Sequence, residues 1–397
     1  MGKNKITTVV AGILAAGGLN SAFPAPSDLE KVVQDAQPLV ASVIFDQEIS
    51  PSGYQGAGIL AIGDTDGDGI DEVIVGSRYK IHVFKHTEEG FRKVFTSKDL
   101  GGDYIMGLQV GKFDDGKYLG IAVGVNGINE GRVLVIKYEG DNNKYNIVWE
   151  SPRNHTTSLA TLDFNGDGIE ELIFGDRSSG RVFVYGSNGD NSWGEIGHTT
   201  ITSGYIQNIQ AGFIDNDKLG EIVVSSEGIP AVYILEQSQS GKEFPIVWDS
   251  GRDIASASWH SLAIGDWIKD GYTDLVVPST TENSFYVISH DGKDNEYIIN
   301  ESLTTKLPAG RLIGGATFGD VNGDGNLNLL TSSRGSGGKV FAYGYSNGKI
   351  ENTWTSSNFA ASTSQVVIGD TDGDGLREAW AIRGDRLVGY EFNSVKK

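Results

Sequence analysis

The sequence predicts an all-β fold, a seven-bladed β-propeller of four-stranded antiparallel blades, and three observations carry that reading. An acidic, glycine-bent loop recurs seven times, with first positions at Asp64, Lys112, Asp163, Phe213, Asp266, Asp320 and Asp370. The copies are separated by 48, 51, 50, 53, 54 and 50 residues, a period that suits one four-stranded blade per repeat. The last repeat is one strand short, while the chain carries an unpartnered strand near its start.

In chain order, Lys3 and Lys5 precede an apolar run at 6–19 and small residues around Ser21-Ala22. Residues 1–25 are therefore expected to be a signal peptide, cleaved after Ala22 or Ala25. An uncleaved membrane anchor is the alternative, although the run is shorter than the roughly 20 residues a spanning helix needs. Residues 26–38 read as a short helix and linker. Ser27 and Glu30 form a capping box, Leu29, Val32 and Val33 give one apolar face, and Pro38 stops the helix. Residues 39–397 are the propeller. It opens with the lone strand 39–45, whose Ser42-Val-Ile-Phe45 resembles the outer-strand run Ile147-Val-Trp149. After Asp370 the chain supplies strands at 378–382 and 387–392 and then ends, so strand 39–45 is expected to complete the seventh blade. Closure of this kind leaves no long free sheet edge.

The first loop, Asp64-Thr-Asp66-Gly-Asp68-Gly-Ile70-Asp71-Glu72, sets carboxylates at positions 1, 3, 5 and 9. Ca²⁺ is a hard cation that takes six to eight oxygens at about 2.3–2.6 Å, and alternating acids in a bent loop turn toward one centre. The carbonyl of Ile70 is a further candidate ligand. An EF-hand is excluded because position 12 is Val75 and both flanks are short β-branched runs. Equivalent ligand sets are Asp163, Asn165, Asp167, Glu171 with the Ile169 carbonyl, and Asp370, Asp372, Asp374, Glu378 with the Leu376 carbonyl. Asp320, Asn322 and Asp324 end in the neutral Asn328, which should weaken the site. Three loops are degraded. Asp266, Asp270 and Asp274 have Ile268 at position 3, Phe213 replaces the first acid before Asp215, Asp217 and Glu221, and the Lys112 loop has Gly120 at position 9. In these the plain reading, Asp and Asn capping backbone N–H groups in a turn, is preferred.

Seven copies of apolar-Gly-Asp-x-Asp-Gly-Asp-Gly-x-x-Glu followed by a strand resemble the FG-GAP repeats of integrin α-like propellers, also called VCBS-type. The resemblance covers residues 39–397 and implies a propeller with Ca²⁺ in its loops. It implies little about function, since similar propellers serve as adhesion receptors, lectins and carbohydrate-active lyases. It also implies that partners bind on the face opposite the calcium loops. There the sequence places Tyr54, Tyr104, His155, Tyr205, Trp259 and Arg311 ahead of first strands, and Arg78, Arg177, Arg334 and Arg383 in second-to-third-strand turns.

A net charge of −20 argues against nucleic-acid binding, and the absence of cysteine removes disulfides, thiol nucleophiles and cysteine-ligated zinc. No nucleotide loop or serine elbow occurs, and only His155 and His260, beside Arg153 and Trp259, suggest proton abstraction. Arg383-Gly384-Asp385 spells an adhesion tripeptide but sits where a turn expects Gly and Asp. Asn154-His-Thr156 and Asn300-Glu-Ser302 are glycan-acceptor sequences. The expected function is a secreted or cell-surface, non-enzymatic Ca²⁺-binding module, monomeric, with a protein or glycan ligand. Membrane contact is expected only through an uncleaved N-terminal anchor. The alternatives are a lyase-like carbohydrate-active enzyme on the same propeller and a structural cell-surface component.

Overall fold

Each repeat is a meander of four short antiparallel strands because each supplies four β-rich runs separated by glycine- and Asx-rich turns. The computed structural model describes residues 38–49, 58–127 and 131–394, except 155, 178, 190, 202–203, 216, 255–256, 258–261, 280–281, 291, 307–312, 334–336 and 360–361. The expected signal peptide and the helix within 26–38 lie outside the described residues, apart from Pro38.

Strand β1 (Leu39–Glu48) precedes the first complete blade, which is β2 (Ile59–Gly63), β3 (Glu72–Gly76), β4 (Ile81–Thr87) and β5 (Gly90–Thr96). Blade 2 is β6 (Tyr104–Gly111), β7 (Gly120–Asn126), β8 (Arg132–Tyr138) and β9 (Tyr145–Glu150). Blade 3 is β10 (Thr156–Leu162), β11 (Glu171–Asp176), β12 (Arg181–Gly189) and β13 (Ser192–Thr200). Blade 4 is β14 (Ile206–Gly212), β15 (Glu221–Ser226), β16 (Val232–Glu236) and β17 (Ile246–Asp249). Blade 5 is β18 (Ala263–Gly265), β19 (Asp274–Pro278), β20 (Ser284–His290) and β21 (Tyr297–Ile299), with β22 (Thr305–Lys306) also pairing β20. Blade 6 is β23 (Ile313–Gly319), β24 (Asn328–Ser333), β25 (Val340–Ser346) and β26 (Lys349–Thr355). Blade 7 is β27 (Thr363–Gly369), β28 (Glu378–Arg383) and β29 (Arg386–Ser394), completed by β1.

The molecule is thus an all-β ring of seven four-stranded antiparallel blades, a seven-bladed β-propeller. Second strands such as β3, β7 and β15 are buried at every residue. They lie between neighbouring sheets with both faces covered, which is why Val73-Ile-Val75 is apolar without alternation. First strands crowd the axis, and all but β10, which ends in Leu162, end in glycine, at three of them for a clear steric reason. A Cβ on Gly63, Gly319 or Gly369 would come within 2.7 Å of Val110, 2.8 Å of Ile368 or 2.5 Å of Ile62, each on the following blade.

The ring closes as the sequence predicts. Strand β1 pairs antiparallel with β29 from Leu39↔Ser394 to Glu48↔Arg386. Phe45 of β1 meets Phe84 and Phe91 of blade 1 and Trp380 of blade 7, with ring centroids 6.0, 5.1 and 5.6 Å away. On the loop face, Asp71 clasps blade 1 to blade 7: its amide donates to the Asp370 carbonyl at 2.9 Å, and its carboxylate accepts from the Asp370 amide at 3.1 Å.

Replacing Phe45 with Ala removes a half-buried aromatic from the closure, so denaturant unfolding should show a loss of about 2 kcal/mol, below the 3–5 typical of a fully buried ring. An unchanged midpoint would show that β1 does not help hold the ring. His82 in β4 is buried between the Ser77 and Thr96 hydroxyls, and burial, aided by Lys93 and Lys80, pushes its imidazole down to about 4. Because the folded value lies below the ordinary value near 6.5, its contribution is present above pH 6.5 and lost as pH falls toward 4. His82→Gln should flatten the fall in melting temperature over that window.

Candidate metal centres

The loops between first and second strands are bent by residues with positive φ at positions 4 and 6. Gly67 and Gly69 stand at +74° and +90°, Gly166 and Gly168 at +73° and +84°, and Gly373 and Gly375 at +80° and +86°. Such angles are open to glycine without a Cβ clash. The bend aims backbone amides inward, and the first acid receives them. Asp64 accepts from Gly67 at 2.6 Å and Gly69 at 2.9 Å, Asp163 from Gly166 at 2.7 Å and Gly168 at 2.8 Å, and Asp370 from Gly373 at 2.8 Å and Gly375 at 3.0 Å. Asp320 likewise accepts from Gly325 at 2.8 Å. The position-5 acid accepts from position 7: Ile70 to Asp68 at 3.0 Å, Ile169 to Asp167 and Leu376 to Asp374 at 2.8 Å each. Capping of the turn and gathering of oxygens are therefore the same geometry.

Position 9 has a second use that sequence reading missed. One oxygen of its side chain accepts the amide of position 2: Thr65 to Glu72, Phe164 to Glu171 and Thr371 to Glu378 at 2.8 Å, Ile214 to Glu221 at 2.6 Å and Trp267 to Asp274 at 2.9 Å. Asn328 does the same for Val321 more weakly, at 3.4 Å. Two of the three degraded loops, those of blades 4 and 5, thus keep an oxygen acceptor at this place, while the Lys112 loop has Gly120 there. Burial pushes Glu72, Glu171 and Glu378 up to about 7, Glu221 to about 8 and Asp274 to about 6. A nearby cation is what keeps such groups ionised at neutral pH.

Oxygens of Asp370, Asp372 and Asp374 come within 4.8 Å of one another, as do those of Asp64, Asp66 and Glu72. That spread fits inside a Ca²⁺ coordination sphere, about 4.6–5.2 Å across. In blade 3 Asn165 turns its Nδ2 to Glu171 Oε1 at 2.8 Å, and in blade 6 Asn322 donates to Asp324 at 3.1 Å. The carboxylate sets of blades 1 and 7 suit a hard divalent cation. A third cluster, Asp215, Asp217, Glu236 and Asp294, draws on a loop the sequence reading treated as degraded.

The residue facing position 9 across the second and third strands sorts the loops. In blade 1 it is Lys85, one step beyond the Val73↔Phe84 pair. Its ammonium is ion-paired with Asp66, lies 2.7 Å from Asp68 and 3.6 Å from Glu72, and is held above its usual value by those acids. A lysine therefore supplies positive charge at the centre of the loop that reads most strongly as a calcium site. In blade 2 Gly120 faces Lys137, which is ion-paired with Asp114. Blade 3 has Gly186 and blade 6 Gly344 beside position 9, whereas blade 4 sets Glu236 opposite Glu221 and blade 7 places Glu391 next to Glu378. In blade 5 Ser289 donates to Asp274 at 3.2 Å, while Lys269 reaches across to Asn326 of blade 6.

On the opposite face, Tyr104 and Tyr205 are 40% and 49% exposed. Arg78 stacks on Tyr79 and Tyr104, 4.7 and 5.8 Å from the ring centroids, and Arg177 stacks on Tyr205 at 5.1 Å. Tyr54, His155, Trp259, His260, Arg311 and Arg334 lie outside the described residues. Arg383 is no adhesive side chain: it is buried, donates to the Tyr390 hydroxyl at 2.6 Å and the Ser357 carbonyl at 2.7 Å, and stacks on Phe359.

Residues 163–224, spanning the blade 3 loop to the second strand of blade 4, match the family model of the FG-GAP-like repeat. A search of curated proteins finds no match to the chain.

Removing the internal cation of blade 1 tests its role. Lys85→Met leaves Glu72 and Asp66 buried without a counter-charge, so unfolding in chelator should show a loss of about 2–4 kcal/mol. Added Ca²⁺ should restore part of that loss by taking the ammonium's place. A neutral effect in chelator would show that Lys85 is not what balances the loop.

Proposed function

Taking the chain as an FG-GAP-type β-propeller, which the repeat match and the seven-bladed ring support, we propose that it is an exported, non-enzymatic binding module stiffened by Ca²⁺ on one face. The observation that carries this reading is the convergence of Asp370, Asp372 and Asp374 in blade 7, whose third strand supplies no lysine, on a loop geometry that blades 3 and 6 share. Asp163, Asn165, Asp167 and Glu171 would hold one ion, Asp320, Asn322, Asp324 and Asn328 a second, and Asp370, Asp372, Asp374 and Glu378 a third. Ca²⁺ would supply positive charge where these oxygens meet, and the residues themselves fix the loop to the strand behind it. Blade 1 has its own ammonium and is left out of this set.

The partner would dock on the opposite face. There the guanidinium groups of Arg78 and Arg177 cover tyrosine rings, which directs the rim toward carboxylates rather than toward sugar faces stacking on bare aromatics. An acidic protein segment or an acidic glycan fits this chemistry. Adhesion in an extracellular setting agrees with the modest Ca²⁺ affinities, about 10⁻⁴–10⁻³ M, of many modules working there.

A thermal melt of the chain in Ca²⁺ and in chelator tests the first half. At 100-fold excess over Kd each ion contributes about 2.7 kcal/mol, so the Ca²⁺ melt should lie clearly higher, and Asp370→Asn should remove part of the difference. Identical melts would sink the reading. For the second half, Arg78→Glu with Arg177→Glu should abolish retention on immobilised polyglutamate or polyuronate while leaving the Ca²⁺ increment intact. Equal retention by the variant would move the ligand site elsewhere.

A further inference from the structure

We propose that blades 4 and 5 share an additional Ca²⁺, bound by Asp215, Asp217, Glu221 and Glu236 of blade 4 and by Asp294 of blade 5. The repeat's first ligand is missing here, since position 1 is the exposed Phe213. Two acids from outside the loop take its place. Glu236 comes from β16 and Asp294 from the connection between β20 and β21, and their oxygens lie within 4.8 Å of those of Asp215 and Asp217 and of each other. The site is therefore built differently from the repeat loops and bridges two blades.

Two independent features point to an ion. Glu221 is fully buried and uses Oε2 to accept the Ile214 amide at 2.6 Å, while its Oε1 has no hydrogen-bond partner. The charges acting on it are those of Asp215, Asp217 and Glu236. The hydroxyl of Tyr297, 6% exposed, is likewise without a partner and faces the same acids. Glu221 and Glu236 are also directly paired across β15 and β16, where like charges repel at Cβ separations of about 4.5–5.5 Å. Among the described residues none of the five acids is in an ion pair, and Lys293 is paired with Glu296 at 2.8 Å.

The blade 5 connection is held over the site by Asn295. Its amide donates to Asp215 at 3.1 Å, and its side chain donates to Glu236 at 3.0 Å and to Asp294 at 2.7 Å. Asn295 sits at φ +58°, a conformation that asparagine tolerates better than most residues. Asp294 thereby reaches the neighbouring blade. Five carboxylates and no nitrogen or sulfur ligand favour Ca²⁺. Mg²⁺ prefers a tighter shell, with oxygens at about 2.0–2.1 Å and several waters retained.

The test is Ca²⁺ stoichiometry on the full chain by calorimetry, together with Tb³⁺ emission excited through tyrosine. Asp294→Asn with Glu236→Gln should lower the stoichiometry by one ion relative to the parent, while Asp370→Asn should remove a different one. Tyr297→Phe should cut the Tb³⁺ emission at least twofold with the stoichiometry unchanged. Full stoichiometry in the double variant would overturn the shared site. Should Glu236→Gln disturb folding, as read by circular dichroism, the exposed Asp294→Asn alone decides, because its side chain supports no core. A parent chain whose bound ion is lost in the double variant but kept in Asp370→Asn supports this site even if the repeat loops bind none, whereas a chain whose ions all survive the double variant overturns it.

Discussion

The hydrogen bond from the amide of loop position 2 to the carboxylate of position 9 is the interaction on which the loops of blades 1, 3, 4, 5 and 7 depend; blade 6 makes it with the neutral Asn328, and blade 2 has Gly120 there. It joins the start of a nine-residue loop to the first residue of the buried second strand, at 2.6–2.9 Å wherever position 9 is acidic. To make it, the acid must enter the protein interior, and burial then raises its pKa toward neutrality. Every loop of this kind therefore faces the same problem, a carboxylate fixed in place for structural reasons and in need of positive charge.

The blades answer in different ways, and the residue facing position 9 on the third strand decides which. Lys85 brings the charge covalently beside Glu72, while in blade 2, where position 9 is Gly120, Lys137 pairs with Asp114 of the same loop. Glycine at 186 and 344 leaves room beside the acid. Glutamate at 236 and 391 deepens the negative charge and gives a reason for an external cation. One repeat motif thus yields internal ion pairs in two blades and, in others, acidic clusters that could hold a cation, all on one rim. On the opposite rim, among the described residues, Arg78 and Arg177 stack on Tyr104 and Tyr205.

Much of this was legible in the sequence. The seven loops, the meander of strands and the closure by residues 39–45 were readable because they rest on local spacing and on a missing strand. What was not legible rests on contacts between strands and between blades. Lys85 lies thirteen residues beyond Glu72 and becomes its neighbour only once the register of β3 and β4 is known. Counting from the turn would have suggested that pairing, since the hairpin between them is short. Asp294 is further still, because nothing local marks the β20–β21 connection as reaching blade 4. Arg383 looked exposed in a turn, yet Tyr390, Ser357 and Phe359 enclose it through packing that no tripeptide encodes.

The most direct measurement of the central claim is native mass spectrometry of the chain after exchange into millimolar Ca²⁺ and volatile buffer. The account predicts bound calcium in the folded species, one ion for each of the Asp163, Asp320 and Asp370 loops and one shared by blades 4 and 5. A folded chain found only at its calcium-free mass under those conditions would contradict it.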